Sequence, residues 1–253
     1  MKAFLINLDS DIERRVAMDR QLCQLGIPYE RFRAIRGDEL PNWIKPYFLD
    51  ADGNQAPELS KGEIGCYASH LSIMRMAVEL NEPALIMEDD LQLAANLKEI
   101  IDLCLKLDVR WDMLRLSSMD KHPVAFLKPL TPAYDVVQYL KVPPNLGAYI
   151  VTPTGAQKFL AWSKPRWRPV DQDLRRPWEN KINTIGLYPN PVTQNHYPSS
   201  IDSIDHRKRG REKYSRDSRF RDRLLRLTHN MKTLGVRRML WALLLPPRKS
   251  AVQ

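Results

Sequence analysis

Short hydrophobic runs alternate along this chain with amphipathic stretches of helical period. Residues 3–8 form the first run, residues 11–25 follow with helical spacing and end at Gly26, and residues 29–34 form a second run. Short apolar runs are typical of buried strands, so these segments predict a β-α-β unit. The same criteria predict strands at 83–87, 112–116, 124–127, 135–140, 146–151 and 184–188, and helices at 60–80, 96–106 and 152–162. Strands alternate with helices in the first half of the chain, and the order is mixed in the second half. This succession predicts an α/β domain.

One hydrophobic run ends in consecutive acidic residues. Its apolar part, Pro83 to Met87, has the length of a buried strand, and Glu88, Asp89 and Asp90 follow directly. Ligands of open α/β sheets bind at the carboxyl ends of strands, and adjacent carboxylates repel one another unless a cation lies among them. Carboxylate oxygens suit Mg²⁺ or Mn²⁺, which also bind substrate phosphates. The run therefore predicts a site for a divalent cation and a diphosphate; an acidic first turn of a helix is the alternative.

The predicted helix at 60–80 begins with a capping box of the S-x-x-E type, formed by Ser60 and Glu63. Glu63, Cys66, Tyr67 and His70 share one face, because they recur at positions i, i+3, i+4 and i+7. Capping already explains Glu63, and His70 is either a substrate contact or a buried structural histidine. Gly65 disfavours a helix by about 1 kcal/mol relative to Ala, which indicates close approach of another backbone or of a ligand.

Polar residues also follow the first predicted strand. Asn7 and Asp9 stand at its end, and Arg14 and Arg15 lie in the first turns of the next helix. The base, ribose or phosphate of a nucleotide binds at such strand ends and helix N-termini. Asn7, Asp9 and Arg14 are therefore predicted to contact a nucleotide, whereas Arg15 is interpreted as an exposed helix charge.

Two further segments carry residues with possible site chemistry. Asp171 and Asp173 follow a region rich in Pro, Trp and Arg, and one such carboxylate could take the proton of an acceptor hydroxyl. Simple N-capping of a short helix is the alternative for both. His196, after the last predicted strand, could complete a metal site, although imidazole is not a preferred ligand of Mn²⁺.

Composition excludes several classes of protein. The chain has 253 residues with no apolar run long enough to span a bilayer, and its N-terminus lacks the hydrophobic length of a signal peptide. We therefore expect a cytoplasmic protein. Cys23, Cys66 and Cys104 are widely spaced, so we expect reduced, buried cysteines that pack as small hydrophobic residues rather than disulfides or a zinc site. A G-x-G-x-x-G fingerprint is absent, which argues against dinucleotide binding of that type.

Positive charge is concentrated at the end of the chain. Residues 201–253 contain 15 Lys and Arg against 5 Asp and Glu, although the whole chain carries a net charge of only +9. Residues 218–227 and 231–245 are predicted amphipathic helices with Leu and Trp among the arginines, a composition suited to an anionic membrane surface. We therefore divide the chain into a domain at 1–200 and a membrane-binding tail at 201–253. Packing of the tail on the body or on a second subunit is the alternative, and nucleic-acid binding is disfavoured because no recognition motif is present.

Together these segments resemble glycosyltransferase family 25, the lipooligosaccharide galactosyltransferase family, to which procollagen galactosyltransferases are related. The resemblance covers about residues 3–200 and excludes the tail. The residues that carry it are Ile6-Asn7-Leu8-Asp9, Glu13-Arg14-Arg15, Tyr29-Glu30-Arg31-Phe32, Ala34, Gly37, Leu59-Ser60-Lys61-Gly62-Glu63-Ile64-Gly65-Cys66, Ser69-His70-Leu71, Leu85-Ile86-Met87-Glu88-Asp89-Asp90, Gly147-Ala148-Tyr149-Ile150, Gly155-Ala156 and Pro169-Val170-Asp171.

The resemblance implies a GT-A-type fold with a mixed central sheet and inverting transfer of a sugar, usually galactose, from a UDP-sugar to a glycolipid or oligosaccharide acceptor. The acidic run would take the place of a D-x-D metal motif, with Mn²⁺ or Mg²⁺ held by Asp90 and Glu88. Asp171 is the predicted base and Asp173 the reserve. Trp167 and Trp178 are candidates for stacking on acceptor sugars, with structural packing as the favoured role for one of them. A capsular or other lipid-linked acceptor is the alternative substrate. A non-catalytic membrane- or nucleic-acid-binding protein is the alternative class.

Overall fold

A large sheet forms the centre of the protein, and most of its strands coincide with predicted hydrophobic runs. The computed structural model describes residues 1–50, 52–54, 59–118, 123–162, 165–195 and 216–244. The strands in these residues are β1 (Lys2–Asn7), β2 (Glu30–Arg33), β3 (Ala84–Met87), β4 (Leu91–Leu93), β5 (Met113–Arg115), β6 (Val124–Pro129), β7 (Asp135–Tyr139), β8 (Ala148–Val151), β9 (Thr184–Tyr188) and β10 (Val192–Gln194).

Helices of very different length surround the sheet. A 3₁₀ turn at Lys45–Tyr47 lies in the segment between β2 and the longest helix. The α-helices of the described residues are α1 (Ile12–Gln24), α2 (Lys61–Leu80), α3 (Leu97–Cys104), α4 (Pro153–Ala161), α5 (Val170–Leu174), α6 (Pro177–Asn180), α7 (Arg216–Leu234) and α8 (Val236–Leu244).

The strands are ordered β2-β1-β3-β8-β5-β9-β7-β6, and β4 pairs with β10 in a separate ribbon. β1 is parallel to both β2 and β3, whereas β8 is antiparallel to its neighbours β3 and β5. β3 and β5 therefore point the same way, and the carboxyl ends of β1, β3 and β5 lie at one edge of the sheet. This mixed α/β architecture confirms the predicted fold class.

Each face of the sheet covers an apolar core, because successive side chains of a strand point to opposite faces. Phe4 of β1 and Ile86 of β3 pack in one core with residues of α2 and α4. Leu5 and Leu85, one position away, pack in the other core with residues of α1 and α3. The carboxyl ends of β1 and β3 consequently open between α1 on one side and α2 on the other.

The C-terminal helices contact the body of the protein. Arg176, which precedes α6, forms a two-pronged ion pair with Asp222 of α7 at 2.6 and 2.7 Å. Asn230 of α7 donates a hydrogen bond to the carbonyl of Leu140 at 2.8 Å, and Met239 of α8 is buried. The alternative that the tail packs on the body therefore holds for these two helices, while the domain boundary at residue 200 stays a prediction.

The same two helices leave much apolar surface exposed. Trp241 is 66% exposed and Leu244 is 79% exposed. Of the helices that the structure describes, none combines the length and the apolar character that a bilayer crossing needs. The other large apolar residues exposed on α7 and α8 are Phe220, Leu224, Leu225, Leu227, Met231, Val236, Leu240 and Leu243.

Candidate functional site

The acidic run after β3 divides its side chains between two faces of the sheet. Ile86 faces α2, so Glu88, two positions later, lies on the same side. Met87 packs with α1 and α3, so Asp89 lies on that opposite side. The Glu88 backbone N–H bonds to the carbonyl of Gly147 at 2.8 Å, which continues the β3–β8 pairing beyond the strand end. Adjacent carboxylates in the sequence therefore meet different partners.

Asp89 is held by β1 and α1. Asn7 donates from Nδ2 to Oδ2 of Asp89 at 2.6 Å, and Arg14 donates to Oδ1 at 3.1 Å. Burial raises the pKa of Asp89, and these two hydrogen bonds act in the opposite direction. Arg14 thus contacts a carboxylate of its own chain, and its predicted contact with a phosphate stays a prediction.

Only one of the two carboxylate oxygens of Asp90 has a hydrogen-bond partner among the described residues. Gln194 of β10 donates to Oδ2 at 2.5 Å, whereas Oδ1 is buried and has no hydrogen-bond partner among the described residues. Burial, with the negative charge of Glu88 as the next cause, raises the pKa of Asp90 to about 6. An unsatisfied buried oxygen beside a second carboxylate is the donor arrangement that a divalent cation fits.

Glu88 faces His70 of α2. The His70 side chain is 1% exposed, and its Nε2 lies 3.4 Å from Oε1 of Glu88. Its Nδ1 lies 2.8 Å from the hydroxyl of Tyr149, and the two rings stack. Burial raises the pKa of Tyr149 well above its ordinary value, so the hydroxyl keeps its proton. His70 is thus both a buried, hydrogen-bonded histidine and a side chain at the predicted site.

The wall opposite the acidic run is the N-terminal half of α2. Ser60 and Glu63 form the predicted capping box, so the Glu63 carboxylate bonds to the backbone of Ser60 at 2.9 Å. A Cβ added to Gly65 would lie 2.3 Å from the carbonyl oxygen of Ile35, and the Ser69 hydroxyl accepts a bond from the Ile35 N–H. The predicted close backbone approach at Gly65 is confirmed, and it places the segment after β2 against α2.

These elements enclose a cleft at the carboxyl ends of β1 and β3. Arg36 and Lys61 bring positive charge to it, and the first turn of α2 faces it, where partial positive charge favours anions. The cleft therefore offers groups for an anion on one side and carboxylates on the other. Its lining residues are Ile6, Asn7, Leu8, Asp11, Arg14, Ala34, Ile35, Arg36, Gly37, Asp38, Lys61, Gly62, Gly65, Cys66, Ser69, His70, Glu88, Asp89, Asp90 and Gln194.

The structure brings six predicted site residues together in this cleft, namely Asn7, Arg14, His70, Glu88, Asp89 and Asp90. Two predicted donor contacts lie outside its lining. Asp9 pairs with Arg31 and Arg33 at 2.6 Å, and the bond from Arg31 is the main cause of its lowered pKa. Glu63 is engaged in the capping box.

The two predicted catalytic carboxylates also lie outside the lining, and they differ from each other. Asp173 is buried; its Oδ2 accepts from the Tyr67 hydroxyl at 2.9 Å and its Oδ1 from Arg168 at 2.6 Å. Burial raises the pKa of Asp173 despite both partners. These contacts favour a structural role over that of a reserve base.

Asp171 is half-buried in the first turn of α5. Burial lowers the pKa of Arg115, and the nearby charges of Tyr139 and Asp171 act against this. Arg115 is the last residue of β5, so Asp171 approaches the edge of the sheet that carries the acidic run. Its predicted role as base is compatible with this placement and stays a prediction.

Trp167 and Trp178, the predicted acceptor contacts, are not among the residues that line the cleft. Trp167 is 44% exposed, and Trp178 lies 5.9 Å from the guanidinium of Arg176. His196, the predicted metal ligand, lies outside the described residues. Cys104 is buried as expected, whereas Cys66 is half-buried and Cys23 is exposed, so the expected burial was wrong for Cys23.

Several residues of the cleft had no predicted role, among them Arg36, Lys61, Gln194 and Cys66. Gln194 bonds to Asp90, and the only signal for it was its place two residues before His196. Cys66 has its sulfur within 4.8 Å of donor atoms of His70 and Glu88. The spacing of Cys66 and His70 on α2 was the available signal, because residues four apart share a helix face.

Comparison with known proteins assigns the family. The model of "Glycosyltransferase family 25 (LPS biosynthesis protein)" matches residues 1–174, which include the acidic run and α5 but not Gln194 of the cleft. The chain belongs to glycosyltransferase family 25. The predicted resemblance is thereby confirmed, and the basic tail lies outside the matched region.

Related proteins occur in bacteria and animals. A putative glycosyltransferase of Haemophilus influenzae is 33% identical over 101 residues, which are 40% of this chain and 36% of that protein. A glycosyltransferase 25 family member of Aedes aegypti is 29% identical over 77% of this chain and 32% of its own length. Procollagen galactosyltransferase 1-B of Xenopus laevis is 28% identical over 68% of this chain and 30% of its own length. The match thus spans about a third of each of these relatives.

Proposed function

We propose that this family 25 protein transfers a sugar, with galactose as the first choice, from a UDP-sugar to a hydroxyl of a lipopolysaccharide or lipooligosaccharide core. The supporting observation is the cleft at the ends of β1 and β3. There Asp90 has an unsatisfied carboxylate oxygen next to Glu88, and Arg36, Lys61 and the first turn of α2 face the same space. The name of the Xenopus relative supports galactose as the sugar.

A divalent cation fits the acidic side of this cleft. Asp90 would hold it through Oδ1, with Glu88 as the second carboxylate, and both donors are oxygens of the kind that Mn²⁺ and Mg²⁺ prefer. When bound, such an ion supplies positive charge for the diphosphate of the leaving group. Asp89 is a poorer ligand because Asn7 and Arg14 already engage its oxygens.

The other wall of the cleft binds the rest of the donor. Lys61 and the partial positive charge of the first turn of α2 attract phosphate oxygens, and Arg36, which pairs with Asp38 at 3.1 and 3.2 Å, adds a guanidinium beside them. The segment 34–38 is fixed against α2 through Ile35, Gly65 and Ser69. A wall fixed in this way holds the donor without reorganisation.

The acceptor hydroxyl needs a base, and Asp171 is the proposed one. It lies in the first turn of α5, and its charge acts on Arg115 at the end of β5. An acceptor between these elements would meet the sugar on the face opposite the diphosphate. Attack from that face gives inversion in one displacement, with an oxocarbenium-like transition state.

Thermal unfolding with nucleotide sugars tests the proposal. The full-length protein is heated with UDP-galactose, UDP-glucose, UDP-N-acetylglucosamine or GDP-mannose, each with Mn²⁺ and with EDTA. A ligand at 100 times its Kd stabilises by about 2.7 kcal/mol, or a rise in Tm of roughly 5–10 °C for a chain of this size. We expect this rise with a UDP-sugar and Mn²⁺ only. The absence of a shift with every nucleotide in both conditions would contradict the proposal and favour a non-catalytic binding protein.

We further propose that α7 and α8 attach the protein to the anionic inner surface of the cytoplasmic membrane, where a glycolipid acceptor would be presented. Trp241 and Leu244 are exposed and lie near Arg237 and Arg238, a combination that suits the lipid–water interface. Contacts of α7 and α8 with the body would then fix the orientation of the cleft above the membrane.

Sedimentation with vesicles tests this attachment. We expect binding to vesicles that contain anionic lipid and at least about tenfold weaker binding to zwitterionic vesicles. The double variant Trp241→Ser/Leu244→Ser should lose most of the binding, whereas Leu80→Ser, an exposed leucine at the end of α2, should not. Equal binding by both variants would contradict a role for α8.

A further inference from the structure

Three donor atoms of different chemistry converge beside the acidic run. The sulfur of Cys66, a ring nitrogen of His70 and a carboxylate oxygen of Glu88 lie within 4.8 Å of one another. Cys66 and His70 project from the same face of α2, one helical turn apart, and Glu88 extends toward them from the end of β3. Sulfur, imidazole and carboxylate together form a ligand set that Mn²⁺ and Mg²⁺ do not prefer but that Zn²⁺ does.

The buried histidine is the second observation that indicates a ligand. The Nε2 of His70 is buried and has no hydrogen-bond partner in the described part of the chain, although it lies 3.4 Å from Oε1 of Glu88. The Nδ1 lies 2.8 Å from the Tyr149 hydroxyl, which fixes the ring. A metal-binding histidine is held in this way, with one nitrogen on a hydrogen-bond partner and the other directed at the ion.

The distances also fit. Two ligands at about 2.05 Å from a tetrahedral Zn²⁺ lie about 3.3 Å apart, and a thiolate at about 2.3 Å lies about 3.6 Å from such a nitrogen or oxygen. The observed 3.4 Å between His70 and Glu88 matches the first value. The sulfur of Cys66 lies within 4.8 Å of the donor atoms of His70 and Glu88. A small rotation of the Cys66 side chain would bring it to the second distance, about 3.6 Å.

We propose that Cys66, His70 and Glu88 form a triad that binds a thiophilic divalent cation, with Zn²⁺ as the first choice, and that this site is distinct from the oxygen site at Asp90 although Glu88 belongs to both. All three residues line the cleft, so a fourth position is open to water or to an oxygen of a ligand. Cys66 binds as the thiolate and releases its proton on metal binding. For Cys66, this proposal differs from the sequence-based expectation of a cysteine outside any zinc site.

Glu88 belongs both to this site and to the proposed Mn²⁺ site, and this predicts how Zn²⁺ affects binding of Mn²⁺. Zn²⁺ at the triad engages the carboxylate that the proposed Mn²⁺ site also requires, so the two ions compete. This consequence rests on the proposed function, whereas the triad itself does not. We expect added Zn²⁺ to reduce the Mn²⁺-dependent stabilisation by the UDP-sugar, and Cys66→Ser to need at least about tenfold more Zn²⁺ for the same reduction.

Titration with Co²⁺ tests the triad directly, because cobalt replaces zinc and its bond to thiolate absorbs in the near ultraviolet. The full-length protein should bind one Co²⁺ with this charge-transfer absorption, and Zn²⁺ should displace it. Cys66→Ser should abolish the absorption. Cys23→Ser, a matched change at an exposed cysteine of α1, should retain it. Absence of the absorption in the unmodified protein, or its persistence in Cys66→Ser, would overturn the proposal.

Two further variants, Glu88→Gln and Asp90→Asn, test the role of Glu88 and the presence of two distinct metal sites. Glu88→Gln should keep the charge-transfer absorption but weaken Co²⁺ binding about tenfold; unchanged affinity would remove Glu88 from the site even if Cys66→Ser failed to fold. Asp90→Asn should lose the Mn²⁺-dependent response to the UDP-sugar and bind Co²⁺ with unchanged absorption. Loss of the cobalt absorption in Asp90→Asn would mean that a single metal site is present and would overturn the separate triad.

Discussion

Two groups of carboxylates in this fold differ in how their charge is compensated. Asp173 has both oxygens bonded, to Tyr67 and Arg168. Asp90 has one oxygen bonded to Gln194 and the other unpaired beside Glu88. Removing a buried carboxylate whose partners are all protein groups leaves those partners without their counter-charge, whereas a carboxylate with an unpaired oxygen next to another negative charge favours a cation or a proton as its partner. The difference separates a structural site from a binding site more clearly than residue type does.

The largest effect on stability is expected at the compensated carboxylate. Asp173→Asn removes the charge opposite Arg168 and should lower the free energy of unfolding by about 2 kcal/mol. The loss is smaller than for a fully buried pair because Arg168 keeps its contact with Glu179 at 2.7 Å. Urea denaturation measures it, with Tyr67→Phe as the milder control at about 1 kcal/mol. Unchanged stability in Asp173→Asn would contradict the structural role.

At Asp90, in the absence of cations, we expect removal of the charge to raise the free energy of unfolding, which is opposite in sign to the effect at Asp173. Its pKa is about 6 in the folded protein against an ordinary value of 3.8, so between these pH values the folded chain holds a proton that the unfolded chain has lost. The contribution of this group is therefore most favourable below about pH 4 and declines as the pH rises to about 6. In EDTA, Asp90→Asn should remove this decline and raise the free energy of unfolding at pH 7 by on the order of 1 kcal/mol.

Urea denaturation from pH 4 to pH 7 checks that prediction. Gln194→Ala is an informative control, since it removes the bond to Asp90 and keeps the charge. A pH profile for Asp90→Asn identical to that of the unmodified protein would mean that Asp90 titrates normally. Such a result would remove the contrast with Asp173.

The smallest effect on stability is expected at Asp171. Asp171→Ala should change the free energy of unfolding by no more than about 0.5 kcal/mol, since Asp171 is half-buried at the start of a short helix. If it is the base, sugar transfer should fall at least about a hundredfold, with UDP-sugar binding unchanged. The rate of sugar transfer and the thermal stabilisation by the UDP-sugar, measured on one preparation of Asp171→Ala, show whether Asp171 is the base. Normal turnover would assign the base to another carboxylate.

Local sequence patterns were sufficient to predict β3, the start of α2 and the close approach at Gly65, which surround the cleft. The apolar run before Glu88 predicted β3, the Ser60–Glu63 spacing predicted the start of α2, and the unfavourable Gly65 predicted a close backbone approach. Each of these depends on neighbours within a few residues, and for such features the sequence pattern and the structure agree. The short strand β4 was not predicted because its pairing with β10 joins segments about a hundred residues apart.

By itself the sequence determined the mixed α/β fold, the family and the location of the acidic run, because strand length, helix capping and motif spacing are local properties. Only the tertiary structure decided which partner each carboxylate meets. Asp89 reaches Asn7 and Arg14, Asp90 reaches Gln194, and Glu88 reaches His70. These pairs join distant segments, and the alternation of side chains along β3 together with the packing of α1 and α2 selects them. Charge compensation is therefore a property of the folded chain and not of the motif.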